Sequence, residues 1–213
     1  GNVATVSVEG ALSSAPGFQI QGAQVALSAN SINPLTVQTP LLAAQSFSDL
    51  NLFANGDVTV GNVGLLTGLQ ASNISLSSSG NQSINSTVSG DRVSLNANQG
   101  LLDVTGPVTA NTLVDLQAGN GSISLQPGSI TSLHAVVNAS QNILGVGPGS
   151  QLTAENVSLN SDSGSITGVQ LSASGNKGID LAVHSGTSAQ VSAVNSVQLV
   201  GTPSAGTDLQ LAV

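Results

Sequence analysis

Residues 155–174, "ENVSLNSDSGSITGVQLSAS", say nearly the same thing as residues 72–90, "SNISLSSSGNQSINSTVSG". Each carries an Asn, an aliphatic–Ser–Leu triplet, a short polar stretch with Gly, and a further alternating apolar run. The triplet recurs along the chain. It reads Val6-Ser7-Val8, Val25-Ala26-Leu27, Leu50-Asn51-Leu52, Ile74-Ser75-Leu76 and Val93-Ser94-Leu95. It continues with Val114-Asp115-Leu116, Ala135-Val136-Val137, Val157-Ser158-Leu159, Ile179-Asp180-Leu181 and Val197-Gln198-Leu199. Between third residues the steps are 19, 25, 24, 19, 21, 21, 22, 22 and 18, a mean of about 21. A period of about 20–50 residues marks a repeat architecture.

Spacing within one period selects strands. Val93/Leu95, Leu102/Val104 and Val108/Ala110 alternate two by two, whereas a helix would place apolar residues three and four apart. Gly, Asn and Pro fall between these runs, at Asn98, Gly100, Gly106 and Pro107, where the chain must turn. Three short strands and three corners per period describe a triangular coil. The predicted fold is all-β: a right-handed parallel β-helix of about ten coils. Leu27, Leu52, Leu76, Leu95, Leu116, Leu159, Leu181 and Leu199 are expected to stack inside.

Repetition is an energetic necessity. One coil buries about six aliphatic side chains, each contributing roughly 1.5–3 kcal/mol gross. Ordering its ~20 residues costs at least ~1 kcal/mol apiece. A lone coil cannot stand, but stacked coils pair both backbone edges and share one aliphatic column.

Composition agrees. Charged residues are 6% of the chain, against about 25% in an average soluble domain. Equivalent residues of adjacent coils lie about 4.8 Å apart, where like charges repel by about 1 kcal/mol even in water. In the outward slot of the first strand only Asp115 and Asp180 are charged, in coils expected to lie three apart. Val136 breaks that slot's polar pattern. Ten acidic residues against two basic ones give a net charge of −8, which excludes a nucleic-acid partner for want of a basic patch. Mean hydropathy of +0.27 with few charges excludes disorder. Cysteine is absent, so no disulfide staples the fold. No apolar run reaches the ~18–20 residues of a membrane span. The opening at Gly1, without Met or a signal-like segment, is that expected of a piece of a longer polypeptide.

The phrases "NISLSSSGNQSI", "RVSLNANQGLLDV", "LVDLQAGNGSISL" and "NVSLNSDSGSITGV" resemble the repeats of filamentous hemagglutinin-like exoproteins of two-partner secretion systems. The resemblance covers most of 72–200 and less of 1–71. It implies an extracellular adhesin of a Gram-negative bacterium, exported through an outer-membrane transporter and folded outside. Such exoproteins carry Asn-Pro-Asn motifs in their secretion domain. The nearest match here, Asn33-Pro34-Leu35, differs in its third residue.

No catalytic constellation is visible, and no enzyme activity, cofactor or metal is expected. His134 and His184 are the only histidines, and neither has an acidic residue within three positions. Without Cys a metal site would need such carboxylates. A polysaccharide lyase of this fold would need clustered acids and a base, but the only basic residues are Arg92 and Lys177. Asp57 in "ANGDVTV" and Asp162 in "NSDSGS" read as turn carboxylates, since neither matches a calcium-binding repeat. Sequons at Asn73, Asn85, Asn138 and Asn156 follow from an Asn/Ser-rich composition. Thr-x-Thr arrays of the ice-binding kind are absent.

The long steps before Leu52 and Leu76 mark irregular coils at about 28–76. Their excess residues must leave the column as loops, where binding functions concentrate. The stretch "NSINPLTVQTPLLAAQSF" (30–47), with Leu41-Leu42, is read either as a contact surface or as a longer strand. Two functions follow for this single β-helix segment. One is the shaft of a secreted filamentous adhesin, with a cell-surface receptor or carbohydrate as partner. The other is a matrix subunit whose open ends stack on further coils or identical subunits. On either reading the isolated segment is expected to self-associate.

Overall fold

The computed structural model describes residues 2–15, 17–148, 151–174 and 178–213. Among them there is no helix: short strands stack in parallel about 21 residues apart, forming a β-solenoid of about ten turns. From residue 49 onward each coil has three faces. Face one carries Asp49–Ala54, Asn73–Ser78, the second halves of Val88–Ala97 and Val108–Ala118, His134–Ala139, Asn156–Ser161 and Ile179–Ser185. Face two carries Val58–Val60, Gln82–Ile84, Leu102–Val104, Ile123–Leu125 and Ile143–Gly145. Face three carries Leu69–Gln70, Ile130–Thr131 and Leu152–Thr153, with the first halves of Val88–Ala97 and Val108–Ala118 between them.

Register converts the sequence alternation into rows. On face one, Leu52, Leu76, Leu95, Leu116, Val137 and Leu159 pair in succession, each at most 1% exposed. One residue pair further on, the inward row is small: Ala54, Ser78, Ala97, Ala118, Ala139 and Ser161. Where that row holds Ser, the hydroxyl finds a carbonyl, as Ser78 Oγ does at Gly80 (3.0 Å). A buried hydroxyl without such a partner would cost about 1–3 kcal/mol.

The repeated polar turn with Gly and Asn has a steric cause at the corner between faces one and two. Asp57 Oδ1 accepts the N–H of Asn81 in the next coil (2.7 Å), and Asn81 Oδ1 accepts the N–H of Leu101 (2.8 Å). Asn142 Oδ1 likewise accepts from Ser165 N–H (2.9 Å). Each such side chain occupies the space in which the next coil's Gly would carry a Cβ: Gly80 over Asp57, Gly100 over Asn81, Gly164 over Asn142. The Asx side chain supplies the corner's hydrogen bond, and the following glycine leaves room for it.

Several expectations need correction. Val6-Ser7-Val8 and Val25-Ala26-Leu27 do not lie on face one. Val3–Ser7, Gln24–Ala29 and Leu41–Ser46 run continuously across faces two and three, with Leu42 beside Val60 and Ala44 beside Leu69. Face one of that coil is instead Ser31–Gln38, where Leu35 pairs with Leu52. The 25-residue step from Leu27 to Leu52 is therefore no coil at all. The real spacing there is short, Val25 beside Leu42 and Leu35 beside Leu52. An aliphatic–x–aliphatic triplet looks the same on every face, so the ladder skipped one.

The step from Leu52 to Leu76 is a true long coil. Its excess is an antiparallel hairpin, Asn62–Val63 with Leu66–Thr67. Leu41-Leu42 is no exposed patch: Leu42 is fully buried and Leu41 partly so, and 30–47 is not one longer strand but two, Ser31–Gln38 and Leu41–Ser46, on different faces.

Near the other end the register slips by two residues. Leu181 pairs with Val157, and Val183 with Leu159. A one-residue slip would turn the face inside out, but a two-residue slip keeps every side chain on its own side, so alternation cannot detect it. Leu181 remains buried. Asp180 accordingly sits beside Asn156, outside the row that holds Asp115, so the two acids never share a ladder. Val136, by contrast, stands where expected, outward between Asp115 and Ser158. Leu199 pairs with Leu181 but is 43% exposed, because no described strand pairs on its other side.

Candidate functional site

The residues weighed as chemistry do not converge. His134 and His184 are exposed on face one, two coils apart, and His184 Nδ1 contacts Ser204 Oγ at 2.6 Å. Arg92 is exposed beside Asn73 and Leu113. Lys177 lies outside the described residues. Asp57 belongs to the corner ladder, and Asp162 accepts Asn160 Nδ2–H (2.9 Å), so both are turn carboxylates with partners. Among the described residues no three His, Cys, Asp or Glu side chains group as metal ligands would. The sequon asparagines lie on the outer surface: Asn73 and Asn85 are exposed, Asn138 and Asn156 partly so.

Asp115 is the one acid with a resolved perturbation. Burial pushes its carboxyl above the usual 3.8, and the hydrogen bond from Gln117 Nε2 to Oδ2 (3.1 Å) opposes that only in part. Its Oδ1 is buried without a partner, as is Asn96 Oδ1.

Two surface features break the regular shaft. The first is the hairpin at 61–68. The turn at Gly68 needs φ +63°, and any Cβ there would collide with the Thr87 carbonyl. The hairpin folds over the outer side of faces two and three. There Val63 and Leu66 cover Ala26 and Ala43, outward residues that would otherwise face water, with Leu41 alongside. Leu65, at the tip, is fully exposed.

The second is a groove of about 740 Å3 along face three and its corner with face one. One side is the outward row Ser28, Gln45, Gln70, Ser89 and Thr109, paired coil to coil. The corner contributes Phe47, Ser72, Asp91 and Asn111. That corner is tied by hydrogen bonds. Ser72 Oγ donates to Phe47 O (3.3 Å), Asp91 N–H to Ser72 O (2.7 Å) and Thr112 Oγ to Asp91 O (2.7 Å). Asn111 Nδ2 donates to Asp91 Oδ1. An extra residue beside Asp91, where Arg92 pairs with Leu113 and Gly90 with Ala110, swings Asn111 and Thr112 outward. The contact-surface reading of 30–47 reached Gln45, Ser46 and Phe47 of this groove but not their partners, which lie in coils about 20 residues apart that only the register brings together.

No family model matches the chain, and neither does any curated protein or solved structure.

Proposed function

We propose that this chain is a structural shaft segment of an extracellular bacterial adhesin of the filamentous hemagglutinin-like kind, holding attachment surfaces away from the cell. The observation that carries the reading is the unbroken parallel pairing from Val3–Ser7 to Asp208–Ala212. Each coil touches its neighbours alone, so stiffness and length grow together. The exterior is built of Ser, Thr, Asn and Gln ladders with few charges, a surface suited to stacking at about 4.8 Å. Among the described residues the interior is a mainly aliphatic column whose buried polar side chains are Ser, Thr and Gln, which suits a spacer.

Labelling native cells with antibody against residues 1–213, followed by negative-stain microscopy, tests this. Decoration along single rods projecting from the surface is the expected result. Decoration of continuous head-to-tail fibres would instead identify a self-assembling matrix subunit, and label confined to the cell interior would end the shaft reading.

A further inference from the structure

Phe18, Phe47 and Phe53 are the only Phe, Tyr or Trp residues in the chain, and all three are exposed. Aliphatic rows fill the core, so a ring has no place in it. Phe47 alone of the three lines the groove, where it is 86% exposed. An exposed phenyl ring contributes nothing to the core and costs solubility. Its position among polar side chains gives it a use.

We infer that the groove beside Phe47 binds a neutral, linear oligosaccharide. The ring offers an apolar platform for the C–H face of a sugar. Gln45, Gln70 and Asn111 present amides that both donate and accept, and Asp91 accepts from hydroxyls. The row spans five coils, about 19 Å at the inter-strand spacing, a length suited to a chain of sugars rather than one ring. Hydrogen bonding within the corner holds Asp91 and Asn111 in place before any ligand arrives.

Other ligands fit poorly. No Lys or Arg lines the groove, and Asp91 with a net charge of −8 repels polyanions. A peptide strand cannot add here, since the backbone of these strands is already paired on both sides. Hydrolysis ordinarily takes two carboxylates, and Asp91 is the only one in the groove. Binding without turnover is what this chemistry supports. The inference deepens the attachment reading and rests on it for its biological role, but it can be tested apart from attachment.

The purified protein is applied to an array of neutral and acidic oligosaccharides, and the best neutral binder is titrated calorimetrically. Binding of a neutral linear glycan is expected, weakened roughly fivefold to tenfold in Phe47→Ala and kept in Phe47→Tyr. Gln70→Ala should also weaken it, while Phe18→Ala and Phe53→Ala, outside the groove, leave it unchanged. Thermal melts confirm that these surface variants stay folded. Absence of any neutral binder at millimolar concentration, preference for acidic glycans, or an equal loss in Phe53→Ala would overturn the proposal. Failure here leaves the shaft reading standing, whereas glycan binding by a protein absent from the cell surface would sink the shaft reading alone.

Discussion

Gln82 stands in an inward row between Val58 and Leu102, with no solvent exposure. Its Nε2 reaches Leu76 O at a long 3.4 Å, and its Oε1 has no partner. A buried acceptor left unmade costs about 1–3 kcal/mol, and the same position one coil on is filled by Leu102. Gln82→Leu should therefore stabilise the protein by about that amount, raising the unfolding midpoint by several degrees. Gln82→Ala should lower it through the cavity left behind. Denaturant melts of the two variants decide the matter: a destabilised Gln82→Leu would mean that the amide satisfies a need unseen here. Asp115 offers a pH-dependent counterpart. Burial raises its carboxyl pKa, so the folded state holds that proton more tightly than the unfolded state. Stability from this group is then full below the ordinary value of 3.8 and falls as pH rises through the folded-state value. Asp115→Asn should raise the unfolding midpoint at about pH 7 and make no difference at about pH 2, where both states are protonated. An equal effect at the two pH values would show that charge is not the cause.

At the scale of the element, the corner between faces one and two couples residues of successive coils. A Cβ at Gly100 would meet Asn81 Oδ1, which holds the N–H of Leu101. Gly100→Ala should therefore be costly in the wild-type background and much cheaper in Asn81→Ala, where the blocking oxygen is gone. Chemical melts of the four proteins in this cycle should give a coupling energy of about 0.5–3 kcal/mol, and simple additivity would refute the corner mechanism. The Asn and Gly punctuation was legible as "turn" from sequence, as were the alternation, the period and the aliphatic stack. What alternation could not carry was identity of face and register. Val25-Ala26-Leu27 and Leu50-Asn51-Leu52 have the same pattern yet occupy different faces. Leu181-Ala182-Val183 serves face one as well as Ile179-Asp180-Leu181 would, so a two-residue slip leaves no trace in the sequence. Most of the groove was illegible for the same reason: Phe47, Asp91 and Asn111 become neighbours only once register is known.

At the scale of the molecule, stability is close to a sum over coils and the interfaces between them. A coil can then be removed whole but not in part. Val137 pairs with Leu159, so deleting residues 138–159 joins Val137 to Asn160 and returns every later strand to its face. The deletion leaves the groove and the hairpin untouched, since both lie before residue 112. It removes one aliphatic layer and one net interface, a loss of roughly 1–3 kcal/mol at about 0.05–0.15 kcal/mol per residue. The shortened protein should fold, with a scattering profile of a rod about 4.8 Å shorter. Deleting residues 138–148 instead takes away face two of that coil, including Ile143 beside Ile123 and Ile166, and leaves face three to follow face one directly. Its chain cannot close the triangle, so the strands beyond it should lose their pairing, seen as lost hydrogen-exchange protection from residue 151 onward. If both deletions behaved alike, the coil would not be the unit of folding, and length could not be tuned by adding or removing repeats.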